Sequence, residues 1–380
     1  MAAEVNLSSP TPWLVDMLIR PDVVAMEAYT PIVPFEVLSQ QLGRSPAEIV
    51  KLDANENPYG PSPKARAALA GLDSTVPIYP DPESRALRGA IASYTGVDAA
   101  HILAGAGADE LIDLIMRLFI RPGDAIINCP PTFGMYSFDA ALNGARVVSV
   151  PRRPDFSLDV AAIERKARTS RAKLLFLCSP NHPDGSLIDA ADLDRLLRLP
   201  LVIVLDEAYI EFAGVPSAAA RVPSTPNLIV LRTFSKWAGL AGLRIGYGIF
   251  PLSLMAHLWK IKQPYNINVA ADTAARASLE DLNTLMANVQ QIIDERTRLT
   301  EALAAVPYLK PYPSRANFIL CRVVGLDAMM LKRRLAEEAG ILIRYFDKPG
   351  LRDHIRITVG RPEHTNRLLD ALNCLAPVSC

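Results

Sequence analysis

Between about residue 60 and residue 260, short runs that are apolar at every position alternate with longer amphipathic stretches, and this alternation restricts the fold more than any other feature. Residues 125–127, 174–178, 201–205 and 228–231 read as strands. A strand with no polar position has no face left for water, so the sheet is expected to be mostly parallel and sandwiched between helices. Residues 108–121 supply one such helix: Leu111, Ile112, Leu114, Ile115, Leu118 and Phe119 recur at helical spacing, with Asp109 and Glu110 in the first turn. The expected class is α/β.

The pattern then changes. Residues 279–306 read as a long helix, 318–323, 341–345 and 355–359 as strands, and 327–339 and 362–375 as helices, which together make a smaller α+β unit. The expected layout is an N-terminal arm over 1–50 that packs with the small domain and a partner subunit, a large domain over 51–285 and a small domain over 286–380.

Charge limits the partners. Basic and acidic residues number 40 each, and a neutral chain lacks the field that captures nucleic acid or an anionic membrane. No apolar run approaches the roughly 20 residues of a membrane span, and the first residues show no basic segment followed by a sustained apolar one, so a cytoplasmic location is expected. Cys129, Cys178, Cys321, Cys374 and Cys380 are scattered and never spaced C-x-x-C, which predicts reduced thiols. The five histidines form no ligand spacing, and no metal is expected.

Open parallel sheets place ligands beyond the carboxyl ends of their strands. After residue 178 comes Ser179-Pro180-Asn181-His182-Pro183-Asp184-Gly185. Asp206, Glu207, Ala208 and Tyr209 follow the third run, and Thr233, Ser235, Lys236, Gly239, Gly242 and Arg244 follow the fourth. Gly105 and Gly107 precede the helix that begins at Ala108. Taken singly, Asp206 also reads as a helix cap, Asn181 as a turn residue and Arg244 as half of a surface ion pair. Glu110 stands where a dinucleotide fingerprint needs its third glycine, and no G-x-x-x-x-G-K-[ST] loop exists to serve an NTPase.

Lys236 is harder to assign to structure alone, because only 10 of the 40 basic residues are lysines. An amine desolvated at a strand end has a lowered pKa and attacks carbonyls. The convergent set matches the needs of pyridoxal 5'-phosphate. Lys236 would meet its aldehyde and Asp206 its ring nitrogen, with Asn181 and Tyr209 at its ring oxygen. The backbone amides of Ala108 and Asp109, with Ser235 and Arg244, would hold its phosphate.

The motifs LDANENPYGPSP (52–63), YPDP (79–82), GAGADELIDL (105–114), PPTFGMYS (130–137), SPNHPDG (179–185), DEAYIEF (206–212), RTFSKWAGLAGLRIGYG (232–248), QPYNIN (263–268), NFIL (317–320) and LRDHIRITVG (351–360) cover most of the chain. Through them the chain resembles the fold-type I pyridoxal phosphate enzymes, and among these the histidinol-phosphate aminotransferase family. The resemblance implies a homodimer with shared active sites, in which Tyr79 reaches the neighbour's cofactor phosphate and the arm around Phe35 covers the neighbour's substrate. It implies that Phe133 stacks on the cofactor ring, where the family usually has tyrosine, and that Arg356 binds the substrate's anionic end. Arg344 is a second candidate for that anion and Tyr265 a candidate for the imidazole pocket. The implied reaction, a step of histidine biosynthesis, converts L-histidinol phosphate and 2-oxoglutarate to imidazole-acetol phosphate and glutamate. An aromatic amino acid aminotransferase of the same family is the alternative. Two departures from the family pattern, His182 with Asp184 in the SPN loop and Arg361 after Gly360, are not expected to touch the cofactor set directly, but either could shift substrate preference.

Overall fold

The computed structural model describes residues 15–27 and 34–375. Cys380 and parts of the N-terminal arm lie outside these residues. Among the described residues the strands form two sheets. The larger is built from β2 (Ile102–Gly105), β3 (Ala125–Asn128), β4 (Arg146–Ser149), β5 (Leu174–Cys178), β6 (Val202–Asp206), β7 (Leu228–Thr233) and β8 (Gly246–Ile249), in the order β2-β8-β7-β6-β5-β3-β4. All its neighbours are parallel except β8, which runs antiparallel to both β2 and β7.

The all-apolar strands bury both faces. Leu174, Phe176, Val204, Ile229 and Leu231 pack on one side against Leu111, Ile112 and Ile115 of the helix Ala108–Phe119. Leu175, Leu177, Ile203, Leu205 and Val230 point to the other, where Leu87, Ile91, Ile163 and Leu196 of further helices cover them. Each fully buried aliphatic side chain of this kind contributes roughly 1.5–3 kcal/mol, so a polar residue at any of these strand positions would be costly. The fold is the doubly covered, mostly parallel sheet that the run pattern implies.

The smaller sheet contains β1 (Val50–Leu52), β9 (Leu309–Pro311), β10 (Phe318–Val323), β11 (Ile341–Tyr345) and β12 (His354–Thr358), ordered β1-β11-β12-β10-β9. Its first strand is parallel to β11 and the other pairs are antiparallel. The stretch expected as one helix over 279–306 turns at Glu280 and Asp281: one helix spans Val269–Leu279 and the next Leu282–Ala304. Residue 285 lies within the second. Its Leu285, Val289, Ile292, Leu299 and Leu303 join a single core cluster that also holds strand residues of both sheets. In the arm, Phe35, Leu38 and Leu42 pack against Ile49, Ala336 and Leu342.

Candidate active site

Parallel register brings the carboxyl ends of β5, β6 and β7 side by side, with Cys178 opposite Asp206 and Asp206 opposite Leu231. The antiparallel β8 joins a fourth segment to this edge: Gly246 pairs with Gly105 on one flank and with Thr233 on the other. A Cβ at Gly246 would lie 2.8 Å from the Ala108 nitrogen, 2.9 Å from the Arg232 oxygen and 3.0 Å from the Gly107 carbonyl carbon. Only glycine lets the helix N-terminus settle this close to the sheet.

Lys236 lies in the loop after β7, its Nζ 3.4 Å from the Ala54 carbonyl oxygen. Burial, with Arg356 nearby, pushes its amine down to about 8, so a useful fraction is an unprotonated nucleophile near neutrality. Gly239 of the same loop has a positive φ of 69°, and a Cβ there would meet the Gly60 carbonyl carbon at 2.4 Å. The loop is thus pressed against residues 57–60, where Asn57 Nδ2 donates to the Trp237 carbonyl at 2.8 Å.

Asp206, at the end of β6, accepts from the Tyr136 hydroxyl at 2.7 Å and from the Ala208 amide at 3.0 Å. Burial raises its carboxyl to about 6. Tyr209 receives a hydrogen bond from Asn55 Nδ2 at 3.2 Å, and burial raises its phenol above the ordinary range. Ser235 is buried and its Oγ accepts from Thr233 Oγ1 at 2.9 Å. Arg244 crosses Gly107 to donate to Asp109 Oδ2 at 2.8 Å, which sets a guanidinium beside the first turn of the helix that starts at Ala108.

A cavity of about 1570 Å³ opens beside this edge, lined by Lys236, Tyr209, Phe133, His182, Arg344, Arg356 and Asn55 among others. Phe133 meets His182 edge-on, ring centroids 5.8 Å apart. Arg356 projects from β12, buried, with its guanidinium 5.3 Å from the Phe318 ring centroid and 5.6 Å from that of Phe346. Arg344, its register partner on β11, lies 5.7 Å from the Phe346 ring. Three of the expected site residues sit elsewhere: Tyr79 is 79% exposed and packs on Tyr265 at 4.8 Å, neither lining this cavity. Phe35 lies on the small-sheet cluster already described.

One expectation is corrected. Asp184 touches the cofactor set directly, because it accepts a hydrogen bond from Asn181 Nδ2. That amide also donates to the Pro131 carbonyl at 3.1 Å, while Asn181 Oδ1 accepts from Thr132 at 2.9 Å. His182 likewise bonds Arg356. Sequence reasoning misses Tyr136 and Asn55, and marks His182 only as a departure from the family pattern. Asn55 had a signal, since it opens the N-E-N-P run: its backbone amide donates to Thr358 Oγ1 at 2.9 Å and its carbonyl accepts from Asn317 Nδ2 at 2.9 Å.

Among the described residues no group of three or more His, Cys, Asp or Glu side chains could hold a metal ion, and Cys129, Cys178, Cys321 and Cys374 are free thiols. The donor set instead suits a phosphorylated pyridine aldehyde. It offers a desolvated amine, a buried carboxylate at the adjacent strand end, and a glycine-lined helix N-terminus flanked by an arginine and a hydroxyl.

Fold and site together define a transaminase of fold type I, and the chain belongs to the class I and II aminotransferases, whose family model matches residues 47–372. Its relatives within that class include histidinol-phosphate aminotransferases. The enzyme of that name from Roseiflexus castenholzii is 54% identical over 94% of this chain and 98% of its own length. The chloroplastic one from Nicotiana tabacum is 54% identical over 94% of this chain and 86% of its own. The crystal structure of histidinol-phosphate aminotransferase from Sinorhizobium meliloti in complex with pyridoxal-5'-phosphate superposes with a TM-score of 0.86 at 29% identity, covering 94% of this chain and 98% of that one.

Proposed function

We propose that the chain is a pyridoxal phosphate-dependent transaminase that moves the amino group of L-histidinol phosphate to 2-oxoglutarate, giving imidazole-acetol phosphate and glutamate. The observation that carries this reading is the Lys236 amine, brought to about 8 by burial, lining one cavity with Arg356. When bound, pyridoxal phosphate supplies an aldehyde for the lysine and a protonated ring that accepts the electrons of the broken Cα–H bond. Asp206 would pair with the ring nitrogen, Tyr209 would donate to the ring oxygen, and Phe133 would stack on the ring. Asn181 would reach the ring oxygen by turning to it an Nδ2 hydrogen that now goes to Asp184 or to the Pro131 carbonyl. The amides of Ala108 and Asp109, Ser235 and Arg244 would hold the phosphate.

Once freed by the substrate amine, the Lys236 amine would serve as the base that takes the substrate's α-proton. A base so positioned supplies about 10²–10⁴-fold. Arg356 holds the phosphate of one substrate and the carboxylate of the other, with Arg344 beside it. Tyr265, which packs on Tyr79 outside this chain's own cavity, would serve an imidazole pocket only across the proposed dimer interface.

The enzyme is further proposed to be a cytoplasmic homodimer, with a large domain over 51–285, a small one over 286–380, Tyr79 serving the neighbour's cofactor phosphate and the arm around Phe35 covering the neighbour's substrate. The exposure of Val76, Ile78 and Tyr79, at 65%, 66% and 79%, supports a covered face there. Among the described residues no helix is long and apolar enough to cross a membrane.

The test is a half-reaction panel. The visible band of the cofactor's carbonyl form is followed while histidinol phosphate, phenylalanine and tyrosine are added separately. Rapid bleaching by histidinol phosphate is expected. Bleaching by the two aromatic amino acids alone would reassign the substrate and leave the class intact.

A further inference from the structure

Asp184 is buried, and each of its carboxylate oxygens accepts from an N–H group: Oδ1 from Asn181 Nδ2, and Oδ2 from the Ser186 backbone amide at 2.9 Å. The loop that carries these residues is closed on itself. The Asn181 backbone amide donates to the Ser186 carbonyl at 2.8 Å and the Gly185 amide to the Asn181 carbonyl at 2.7 Å. A Cβ at Gly185 would lie 2.1 Å from Ser314 Oγ, so the turn has no room to open on that side. Arg152, also buried, adds a positive charge: its Nη1 donates to the Phe156 carbonyl at 2.9 Å, and among the described residues its Nε and Nη2 have no hydrogen-bond partner. Burial raises the Asp184 carboxyl, and the charge of Arg152 opposes that rise. Two N–H donors and a cation favour the ionised form.

The buried side chain of Asn181 uses both of its Nδ2 hydrogens, one on Asp184 and one on the Pro131 carbonyl at 3.1 Å, while Oδ1 accepts from Thr132 Oγ1 at 2.9 Å. To reach the cofactor's ring oxygen, one of the two hydrogens must turn away from its present acceptor. A bond to an ionised acceptor is roughly twice as strong as one between neutral groups, so the Pro131 bond is the one to give way. What then fixes the amide is Asp184. The Thr132 hydroxyl can accept as well as donate and so tolerates either orientation, but a carboxylate only accepts, and a flipped amide would set Oδ1 against a negative charge.

We infer that Asp184 is a positioning residue: by keeping one Nδ2 hydrogen of Asn181 it prevents the amide from flipping, so that the other hydrogen is presented to the ring oxygen of pyridoxal phosphate. The inference rests on the proposed contact between Asn181 and that oxygen.

The test is a double-mutant cycle on the holoenzymes of wild type, Asp184→Ala, Asn181→Ala and the double variant. It reads the pH midpoint at which the visible band of the lysine-bound cofactor titrates, together with pyridoxal phosphate affinity. Donation from Asn181 draws charge from the ring oxygen, which otherwise helps the nearby lysine-linked nitrogen keep its proton. D184A is therefore expected to raise the midpoint by at least about half a pH unit and to weaken cofactor binding about tenfold. N181A should raise the midpoint at least as far. The double variant should match N181A, because a residue that acts through another has nothing left to act on.

Loss of a nearby negative charge by itself would move the midpoint down, so a lowered or unchanged midpoint in D184A would overturn the inference. So would a D184A shift that persists in the N181A background, or a lower melting temperature of the apoprotein with no movement of the band, the mark of a purely structural role. Should D184A fail to fold, the same cycle on the isosteric Asp184→Asn decides, since either order of the new amide sets a donor against Ser186 or an N–H against Asn181. An N181A variant with the wild-type midpoint would instead remove the premise, which separates failure of the proposed cofactor contact from failure of this inference.

Discussion

The Tyr136 hydroxyl donates to Asp206 Oδ2 at 2.7 Å, and both side chains are buried. The bond favours the charged form of a carboxyl that burial has raised to about 6. Asp206 is therefore ionised at neutral pH by a margin of only about one pH unit. Removing the donor in Tyr136→Phe is expected to move that titration upward by about one pH unit. Pyridoxal phosphate affinity, which the ionised form serves, should then be lost at a higher pH as the solution is acidified. Cofactor titrations between pH 5.5 and 8 check this; identical acid limbs in the two proteins would refute it.

Lys236→Ala removes the amine and the base together. Turnover of histidinol phosphate should fall by more than about 10⁴-fold, beyond what a lost general base alone costs. The visible band characteristic of the lysine-bound cofactor should be absent. Near-normal turnover would end the assignment.

Gly246→Ala places a methyl group against three backbone atoms, none of which can rotate away. The helix N-terminus at Ala108 must shift, so stability is expected to fall by about 1–3 kcal/mol and pyridoxal phosphate affinity by at least about tenfold, read by urea denaturation of the apoprotein and cofactor titration. An alanine variant with unchanged affinity would show that the close approach is not what builds the phosphate cradle.

Asp139 is a buried carboxyl whose Oδ2 has no hydrogen-bond partner. Burial, with Asp113 and Asp109 nearby, raises it to about 7 from an ordinary 3.8. The folded state thus binds a proton that the unfolded chain has released between about pH 4 and 7, and stability declines as pH rises through that window. Asp139→Asn should abolish this decline and melt at a higher temperature than wild type at pH 8, with a smaller gain at pH 5. Melting curves at both values decide the point.

The strands that sequence made most legible are the ones built on an uninterrupted run of four or more apolar residues. Leu174–Cys178 and Phe318–Val323 coincide with their expected spans, and the helix expected over 108–121 runs Ala108–Phe119. The edge strand Ile102–Gly105 and the antiparallel Gly246–Ile249 are only four residues long and carry glycines that cut their apolar runs short, so no strand pattern marks them. The ends of the long strands pointed to Asp206 and Lys236 because chemistry follows each apolar run directly. Tyr136 lies 70 residues from Asp206 and His182 lies 174 from Arg356, and no local pattern encodes such a meeting. Asp184 reads in sequence as a loop variation for a different reason: it is only three residues from Asn181, but which way its carboxylate turns depends on the fold of the loop.

Residues 53–60 belong to both halves of the molecule at once. Asn55 reaches Tyr209 beside the large sheet and Thr358 and Asn317 at the small one, Asn57 holds the Trp237 carbonyl, and Ala54 receives Lys236. The chain therefore has no seam at the place where one sheet gives way to the other in sequence. A circular permutation or split-protein cut within this segment would separate the lysine from its setting even if each sheet still folded, whereas a cut in the exposed turn at Val324 and Gly325 would leave it whole.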